Sequence, residues 1–291
     1  MPLSRLDRRQ VLLATALALL AAPGRGLAQP VQRIVCAGAD VTEIVAALAG
    51  AAAIQGVDTT SHMPPEVRNL PSIGYLRQIS AEGILSLEPD IVIANRDLGP
   101  PAAVAQLRKA GVRIELVDFP PSGEGMAAKI RHVGTLLGRD AQAAVLAGTT
   151  AAAMADLARR LDGVAMRPRI GFIRSIDGGT PIAGGKMGLV DAAYALAGGT
   201  NAFAGFSLFK PVSREVLAAS PPDFIVADVQ AVAALGGSGS FIDALGLIAA
   251  FAGRHERLID TDLTILFGFA PSSAAAITML ARRLHPERFV G

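Results

Sequence analysis

The chain of 291 residues has no tryptophan, two tyrosines and one cysteine, and aromatic residues make up only 4% of it. A lone cysteine excludes an intrachain disulfide and a metal site built from several thiolates. Cys36 ends a short apolar run, RIVC at residues 33–36, and reads as a core residue at the end of a strand. Charged residues are scarce as well, at 18% against 51% hydrophobic ones, so there is ample material for packed interiors and enough length for two of them. No apolar run reaches the roughly 20 residues of a membrane-spanning helix.

The longest apolar run, Val11 to Pro23, follows Arg8-Arg9 and precedes Gly26-Leu27-Ala28, a small-residue cleavage pattern. Residues 1–28 therefore read as an export signal. The segment Asp7-Arg8-Arg9-Gln-Val-Leu-Leu has twin-arginine character, although Asp7 stands where Ser or Thr is more usual; an ordinary secretion signal is the alternative. The chain carries 27 basic and 25 acidic side chains. Removing residues 1–28 takes four arginines and one aspartate, which leaves 23 against 24 and a balance of −1. The excess of positive charge thus belongs to the export segment, and the basic footprint of a nucleic-acid binder is missing.

What is present is alternation. Apolar runs at 33–36, 54–57 (IQGV), 90–94 (DIVIA) and 112–117 (VRIELV) are separated by helical patterns, and the rhythm returns with 169–173 (RIGFI), 223–227 (DFIVA) and 257–260 (RLID). Alternation of this kind predicts βαβ units with parallel sheets covered on both faces, hence two α/β domains, over residues 29–137 and 164–291. Between them, residues 138–163 are alanine-rich, with leucine and methionine at helical spacing and glycine at both ends. They predict one helix from Asp140 to Leu161, long enough to tie two lobes together; packing inside one larger domain is the alternative.

A self-comparison supports duplication. Ser80-Ala-Glu82, six residues and Pro89-Asp90 align without a gap on Ser213-Arg-Glu215, six residues and Pro222-Asp223, each followed by an apolar strand. The serine suits a helix N-cap, and the glutamate in the first turn is favoured by the helix dipole. Hydrolase and protease signatures are missing: there is no G-x-S-x-G elbow, no H-E-x-x-H and no G-x-G-x-x-G that opens a helix after a strand. The pairs Gly178-Gly179, Gly184-Gly185 and Gly236-Gly237 read as loops.

Several stretches carry a resemblance. They are CAGADVTEIVAALAG from Cys36, Gly56-Val-Asp58-Thr-Thr-Ser61, and Ile73-Gly-Tyr75-Leu-Arg77-Gln-Ile-Ser80-Ala-Glu82 through Asp90. Ala183-Gly184, Leu196 to Asn201 and Lys210-Pro-Val-Ser213 extend it into the second half. Together they resemble the periplasmic haem-binding proteins of bacterial haem-uptake ABC transporters, with Gly-Tyr-x-Arg as the specific part. The remainder is shared with wider relatives that carry siderophores or cobalamin. The resemblance implies two Rossmann-like α/β lobes with mostly parallel sheets, one linking α-helix, a ligand cleft between the lobes, and no catalysis. It implies ferric haem b as the transported ligand, a permease dimer as partner and the periplasm as location. A siderophore or corrinoid receptor, an exported haem-storage protein and an exported α/β enzyme are the alternatives.

Within that resemblance Tyr75 is the expected axial iron ligand. A phenolate is a hard oxygen donor suited to ferric iron, and a free phenol, with a pKa near 10, needs help to ionise. Arg77, two residues on along an extended segment, would share its side and donate to the phenol oxygen. Gly74 would let the backbone approach a broad ring. A half-buried loop tyrosine is the bland alternative. His62 is expected in a loop facing the cleft, either solvated or on the iron's far side, and His132, His255 and His285 on the surface. Arg174, at the end of the first strand of the second lobe, Lys186 and Lys210 are candidates for the propionates, and Phe203, Phe206, Phe209, Phe267 and Phe269 for the walls. Some family members add a histidine from the second lobe, but residues 174–184 contain none. Ala270-Pro271-Ser272 replaces the common Gly-Pro-Arg, so any bracing by that arginine must be supplied otherwise. Glu82 and Glu215 match the exposed glutamates that dock on permease arginines.

Overall fold

The computed structural model describes residues 33–247, 250–251 and 255–290; the export segment expected over residues 1–28 lies outside them. The first lobe runs through β1 (Ile34–Ala37), α1 (Ala39–Ala49), β2 (Ile54–Val57), β3 (Gly74–Tyr75), β4 (Gln78–Ile79), α2 (Ala81–Leu85), β5 (Ile91–Asn95), α3 (Pro101–Lys109), β6 (Arg113–Val117) and α4 (Gly123–Leu136). Its sheet has the order β2-β1-β5-β6, every pair parallel, and β3 and β4 form a separate hairpin.

Side chains of a strand alternate between faces, and the core divides accordingly. Ile34 and Cys36 of β1 join Ile91 and Ile93 of β5 in one cluster, while Val35 and Ala37 join Val92 and Ala94 in another. Both faces are covered, which is why these runs are uniformly apolar. Cys36 is fully buried, and burial, with the nearby Asp58 carboxylate, pushes its thiol far above the ordinary range. It is an inert core residue, as its position in the sequence predicts.

The helix α5 spans Asp140–Arg160, one residue short of expectation. Its buried residues, Ala143, Ala147, Thr150, Met154 and Leu157, recur at spacings of four and three and so form one stripe. Ala143 and Ala147 pack into the first lobe's core, Met154 and Leu157 into that of the second. The small residues matter: a Cβ on Gly134 of α4 would sit 2.2 Å from the Cβ of Ala143, so the two helices approach as closely as glycine permits.

The second lobe contains β7 (Arg169–Asp177), β8 (Thr180–Gly184), α6 (Gly188–Leu196), β9 (Thr200–Asn201), β10 (Phe209–Pro211), α7 (Arg214–Ala219), β11 (Phe224–Asp228), α8 (Val229–Ala234), α9 (Ser238–Ala244), β12 (Leu258–Thr261), α10 (Leu263–Gly268) and α11 (Pro271–Leu284). Its sheet is mixed. The strands β9, β7, β11 and β12 are parallel, and β8 and β10 form an antiparallel edge. The strand expected at 169–173 therefore continues to Asp177, and Gly178-Gly179, expected as a loop, is the two-residue turn of a hairpin. Both glycines have positive φ, 56° and 83°, which glycine alone adopts without strain. Gly184, also expected in a loop, ends β8. Strands this short, TPIAG and FKP, show no apolar run for a sequence reading to find.

His285, expected at the surface, is buried at the C-cap of α11, where Nε2 lies 3.1 Å from the Gly198 carbonyl. His132 is exposed, as expected, with its ring tilted against Phe119. Of His255 only the backbone, in the turn His255–Arg257, is described.

Candidate functional site

The carboxyl ends of β1, β5 and β6 converge on a cleft of about 430 Å³. From the first lobe it is lined by Asp40, Arg77, Asn95, Arg96, Asp97 and Asp118, and from the second by Leu189, Thr264, Phe267 and Phe269. One wall is charged and the other largely apolar. Crevices at the carboxyl ends of strands are where open α/β sheets bind ligands, and the volume lies within the usual range for such sites.

Tyr75 belongs to the β3–β4 hairpin, whose tip, Leu76-Arg77, lines the cleft. Extended geometry is not what brings Arg77 to Tyr75. Tyr75 pairs with Gln78, so Leu76 and Arg77 are the two turn residues, and the guanidinium folds back across the turn. Its Nη1 donates to the phenol oxygen at 2.8 Å. The hairpin is held by Leu76, Ile73 and Ile79, all buried, and by bonds from the Gly99 amide to the Leu76 carbonyl and from the Ile79 amide to the Gly99 carbonyl. Gly74 enters it at φ +90°, and a Cβ there would stand 3.1 Å from the Gln78 carbonyl. Its glycine character is thus required by the turn itself. Tyr75 remains 39% exposed, with its ring turned out of the core.

Arg77 donates through Nη2 to Asp97, which also lies 3.8 Å from Arg96 Nε; Arg96 Nη1 in turn bonds Asp118 at 3.0 Å. The bond to Tyr75 is the largest influence holding the guanidinium above its ordinary pKa; partial burial opposes it and Asp97 adds to it. The sequence reading missed Arg96, Asp97 and Asp118. Their only signal was a position just past the ends of predicted strands, where α/β folds place functional side chains.

The lobes are joined across the cleft floor by polar contacts. Lys129 of α4 pairs with Asp40 of α1 in a buried site, and its ammonium also donates to the Phe269 carbonyl at 3.2 Å. His62, expected as a solvated loop residue or a distal ligand, has both ring nitrogens engaged: Nδ1 with the Thr60 carbonyl at 3.0 Å and Nε2 with Asp262 of the second lobe at 2.7 Å. Burial pushes the Asp262 carboxyl up, but bonds from Thr264 and His62 outweigh it and hold the group below the ordinary range. Ser272 gives its amide and hydroxyl to the two oxygens of Glu43, at 2.7 and 2.6 Å. Through this contact Ser272, at the start of α11, ties the second lobe to α1 of the first.

Burial raises the pKa of Glu43, and the two bonds from Ser272 only partly offset it. A carboxyl raised in the folded state contributes stability that is present below its unfolded value, about 4.3, and lost as pH rises through the folded value. Glu43→Gln is expected to remove this dependence, because an amide can accept from the Ser272 amide and donate to its hydroxyl. Thermal unfolding from pH 4 to 8 should show a flatter profile, with stability at pH 7 within about 1 kcal/mol of the parent.

In the second lobe none of Arg174, Lys186 and Lys210 lines the cleft. Arg174 lies within β7 rather than at a strand end, because the strand runs on, and its guanidinium covers the Phe209 ring at 4.8 Å. Phe209 touches Phe172, and Phe172 touches Phe267 of the cleft wall. Lys210 stands 5.7 Å from the Phe206 ring, and Lys186 is exposed two residues before Gly188, which lines the cleft. Of the five expected wall phenylalanines, Phe267 and Phe269 line the cleft. Phe203 is core, stacked on Phe206, because Ala183, Val212 and Ile225 close round it.

Glu82 and Glu215 occupy matching positions. Each is exposed in the first turn of a short helix, α2 or α7, capped by Ser80 or Ser213, whose hydroxyl accepts from the Gly83 or Val216 amide. A hydrogen bond from Ser213 holds the Glu215 carboxyl below its ordinary range.

Comparison with known proteins agrees with this fold. A solved periplasmic heme-binding protein from Roseiflexus sp. RS-1, RhuT in apo form, is 35% identical with a TM-score of 0.78, over 88% of this chain and 99% of that one. The periplasmic heme-binding protein BhuT, solved in complex with two hemes, gives the same values. A cobalamin-binding protein of Halobacterium salinarum is 32% identical over 173 residues, 56% of this chain; the match spans less than half, 44%, of that protein's length. An ABC transporter substrate-binding lipoprotein of Bacillus subtilis, YvrC, is 24% identical over 85% of this chain and 78% of its own. Residues 34–254 match the profile described as periplasmic binding protein. The chain belongs to the periplasmic binding protein family, whose members bind substrates and do not transform them.

Proposed function

We propose that this chain is the periplasmic receptor of an ABC importer, that it captures ferric haem b in the interlobe cleft, and that Tyr75 is the axial iron ligand. One observation carries the reading: an exposed phenol on the hairpin whose tip, Leu76-Arg77, lines the cleft, with the guanidinium of Arg77 donating to its oxygen at 2.8 Å. The guanidinium fixes the direction of that oxygen, and a tyrosine oxygen is a recognised ligand of haem iron. Gly74 shapes the hairpin that presents it. Phe267, Phe269 and Leu189 offer an apolar wall to a porphyrin face, and Arg96 is the cation in the cleft for a propionate; Arg174, Lys186 and Lys210, exposed but outside the lining, are secondary candidates. The 35% identity to solved periplasmic heme-binding proteins supports haem over other cargo.

Titration of the purified chain with hemin, followed by absorbance, tests the reading. A saturable tyrosinate-to-iron charge-transfer band is expected. No band with hemin, together with tight binding of cyanocobalamin, would instead establish the corrinoid reading that relatives named for cobalamin and vitamin B12 support.

Delivery to a permease dimer is proposed for Glu82 and Glu215. Exposed charges steer and orient a partner more than they hold it. Glu82→Lys with Glu215→Lys is expected to leave hemin affinity within about twofold while abolishing haem-dependent growth of a strain relying on this receptor. A haem-storage protein would show no growth defect.

A further inference from the structure

We propose that Asp97 is a positioning residue for the iron ligand, acting through Arg77; this rests on the haem reading above and deepens it. Arg77 sits on the tip of a two-residue turn with its side chain 58% exposed. A long side chain in such a place has many rotamers, and contact with one phenol oxygen is a single point of restraint. Asp97 supplies the second. Nη1 of the guanidinium goes to Tyr75 and Nη2 to Asp97, so the planar fork is held at two ends and its direction is set.

Asp97 is itself held in place. Its amide donates to Asn95 Oδ1 at 3.1 Å, and its other carboxylate oxygen faces Arg96, which Asp118 anchors from the far side. The turn carrying it is stitched to the Tyr75 hairpin by the Gly99 and Leu76 backbone bond at 3.0 Å. Distance between Asp97 and the phenol is thus governed by backbone hydrogen bonding as well as by the arginine. The chain Tyr75, Arg77, Asp97, Arg96, Asp118 alternates acceptor and cation, and all of it but Tyr75 lines the cleft. Within it only Asp97 contacts both guanidinium groups.

Hemin titrations of Asp97→Ala, Arg77→Ala, the double variant and Tyr75→Ala, each with a thermal melt, test the proposal. Asp97→Ala is expected to weaken hemin binding about tenfold, as loss of an outer partner of a metal ligand commonly does, and to move the charge-transfer band towards that of Arg77→Ala. Adding Asp97→Ala to Arg77→Ala should change affinity by no more than about twofold, since the aspartate acts only through the arginine. Asp97→Asn, which keeps an acceptor oxygen, should recover the band position. An unaltered band and affinity in Asp97→Ala would overturn the proposal, as would an equal loss with and without Arg77. If Tyr75→Ala keeps the band, the haem-ligand reading itself fails; if Tyr75→Ala loses it and Asp97→Ala does not shift it, only the role of Asp97 falls.

Discussion

Tyr75→Phe is expected to eliminate the tyrosinate-to-iron band and to weaken hemin binding by at least about 100-fold, since removing even an outer partner of a metal ligand commonly costs 10- to 100-fold. The substitution deletes one oxygen and keeps the ring, so a loss cannot be assigned to missing apolar contact. Stability should hardly move. The side chain is exposed, its one hydrogen bond is to a surface arginine, and substitutions at such positions usually stay within about 0.5 kcal/mol. Arg77→Ala should fall between the two, with a band retained at altered energy and weaker binding, because the phenol survives without its cation. A Tyr75→Phe protein that binds hemin with the parent's spectrum would sink the assignment, whatever its affinity.

Lys129→Ala is expected to destabilise the protein by about 3–5 kcal/mol, the cost of breaking a buried ion pair from one side. Asp40 and Lys129 are 6% and 7% exposed, so the abandoned carboxylate would have neither water nor a cation. Among the described residues the only other donor near it is the Asn95 amide, at 3.4 to 3.5 Å. The Phe269 carbonyl would lose its donor as well, and with it a tie between the lobes. At roughly 2–4 °C per kcal/mol for a chain of this size, the melting temperature should drop by about 6–20 °C. Asp40→Asn combined with Lys129→Met should recover most of the loss, because the uncompensated charge is then gone. Urea unfolding of the parent and the two variants measures this, and a loss below about 1 kcal/mol in Lys129→Ala would mean that water reaches Asp40.

The first concerns the hairpin whose tip lines the cleft and the second a buried pair at the cleft floor, and they differ in how visible they were beforehand. Tyr75 and Arg77 are two residues apart, and their pairing was legible, although through the wrong geometry: the sequence reading used an extended strand where the chain makes a tight turn. Gly74, Leu76 and Ile79 held the information, since a positive φ followed by a buried leucine makes the turn, but a two-residue strand leaves no periodicity to detect. Lys129 and Asp40 are 89 residues apart, and nothing in either neighbourhood signals a buried charge. Lys129 lies on an ordinary amphipathic helix, where a lysine reads as solvent-facing.

The antiparallel edge of the second lobe was missed for a related reason. Only β10, with Lys210 and Pro211, is a true edge, and it is three exposed residues long; β8 lies inside the sheet, but its five residues carry Pro181 and end on Gly184, which read as a loop. His285 was misread because a C-cap histidine next to arginines and a proline has the local chemistry of a surface residue; its burial under Gly198 depends on how α11 returns across the lobe.

Taken alone, the amino-acid sequence determined the strands buried on both faces, the long helix between two α/β halves, the duplicated serine-capped turns bearing Glu82 and Glu215, and the presence of a phenol beside a guanidinium. All of these follow from contacts a few residues apart, where backbone periodicity and capping chemistry act. Only the tertiary structure decided that Asp97 steadies Arg77, that Lys129 reaches Asp40 and the Phe269 carbonyl, that Ser272 braces Glu43, and that His62 is bound to Asp262 rather than free for a ligand. Those partners lie 20 to 229 residues apart. Their meeting depends on where strand ends converge and how two lobes face each other, which no local spacing encodes.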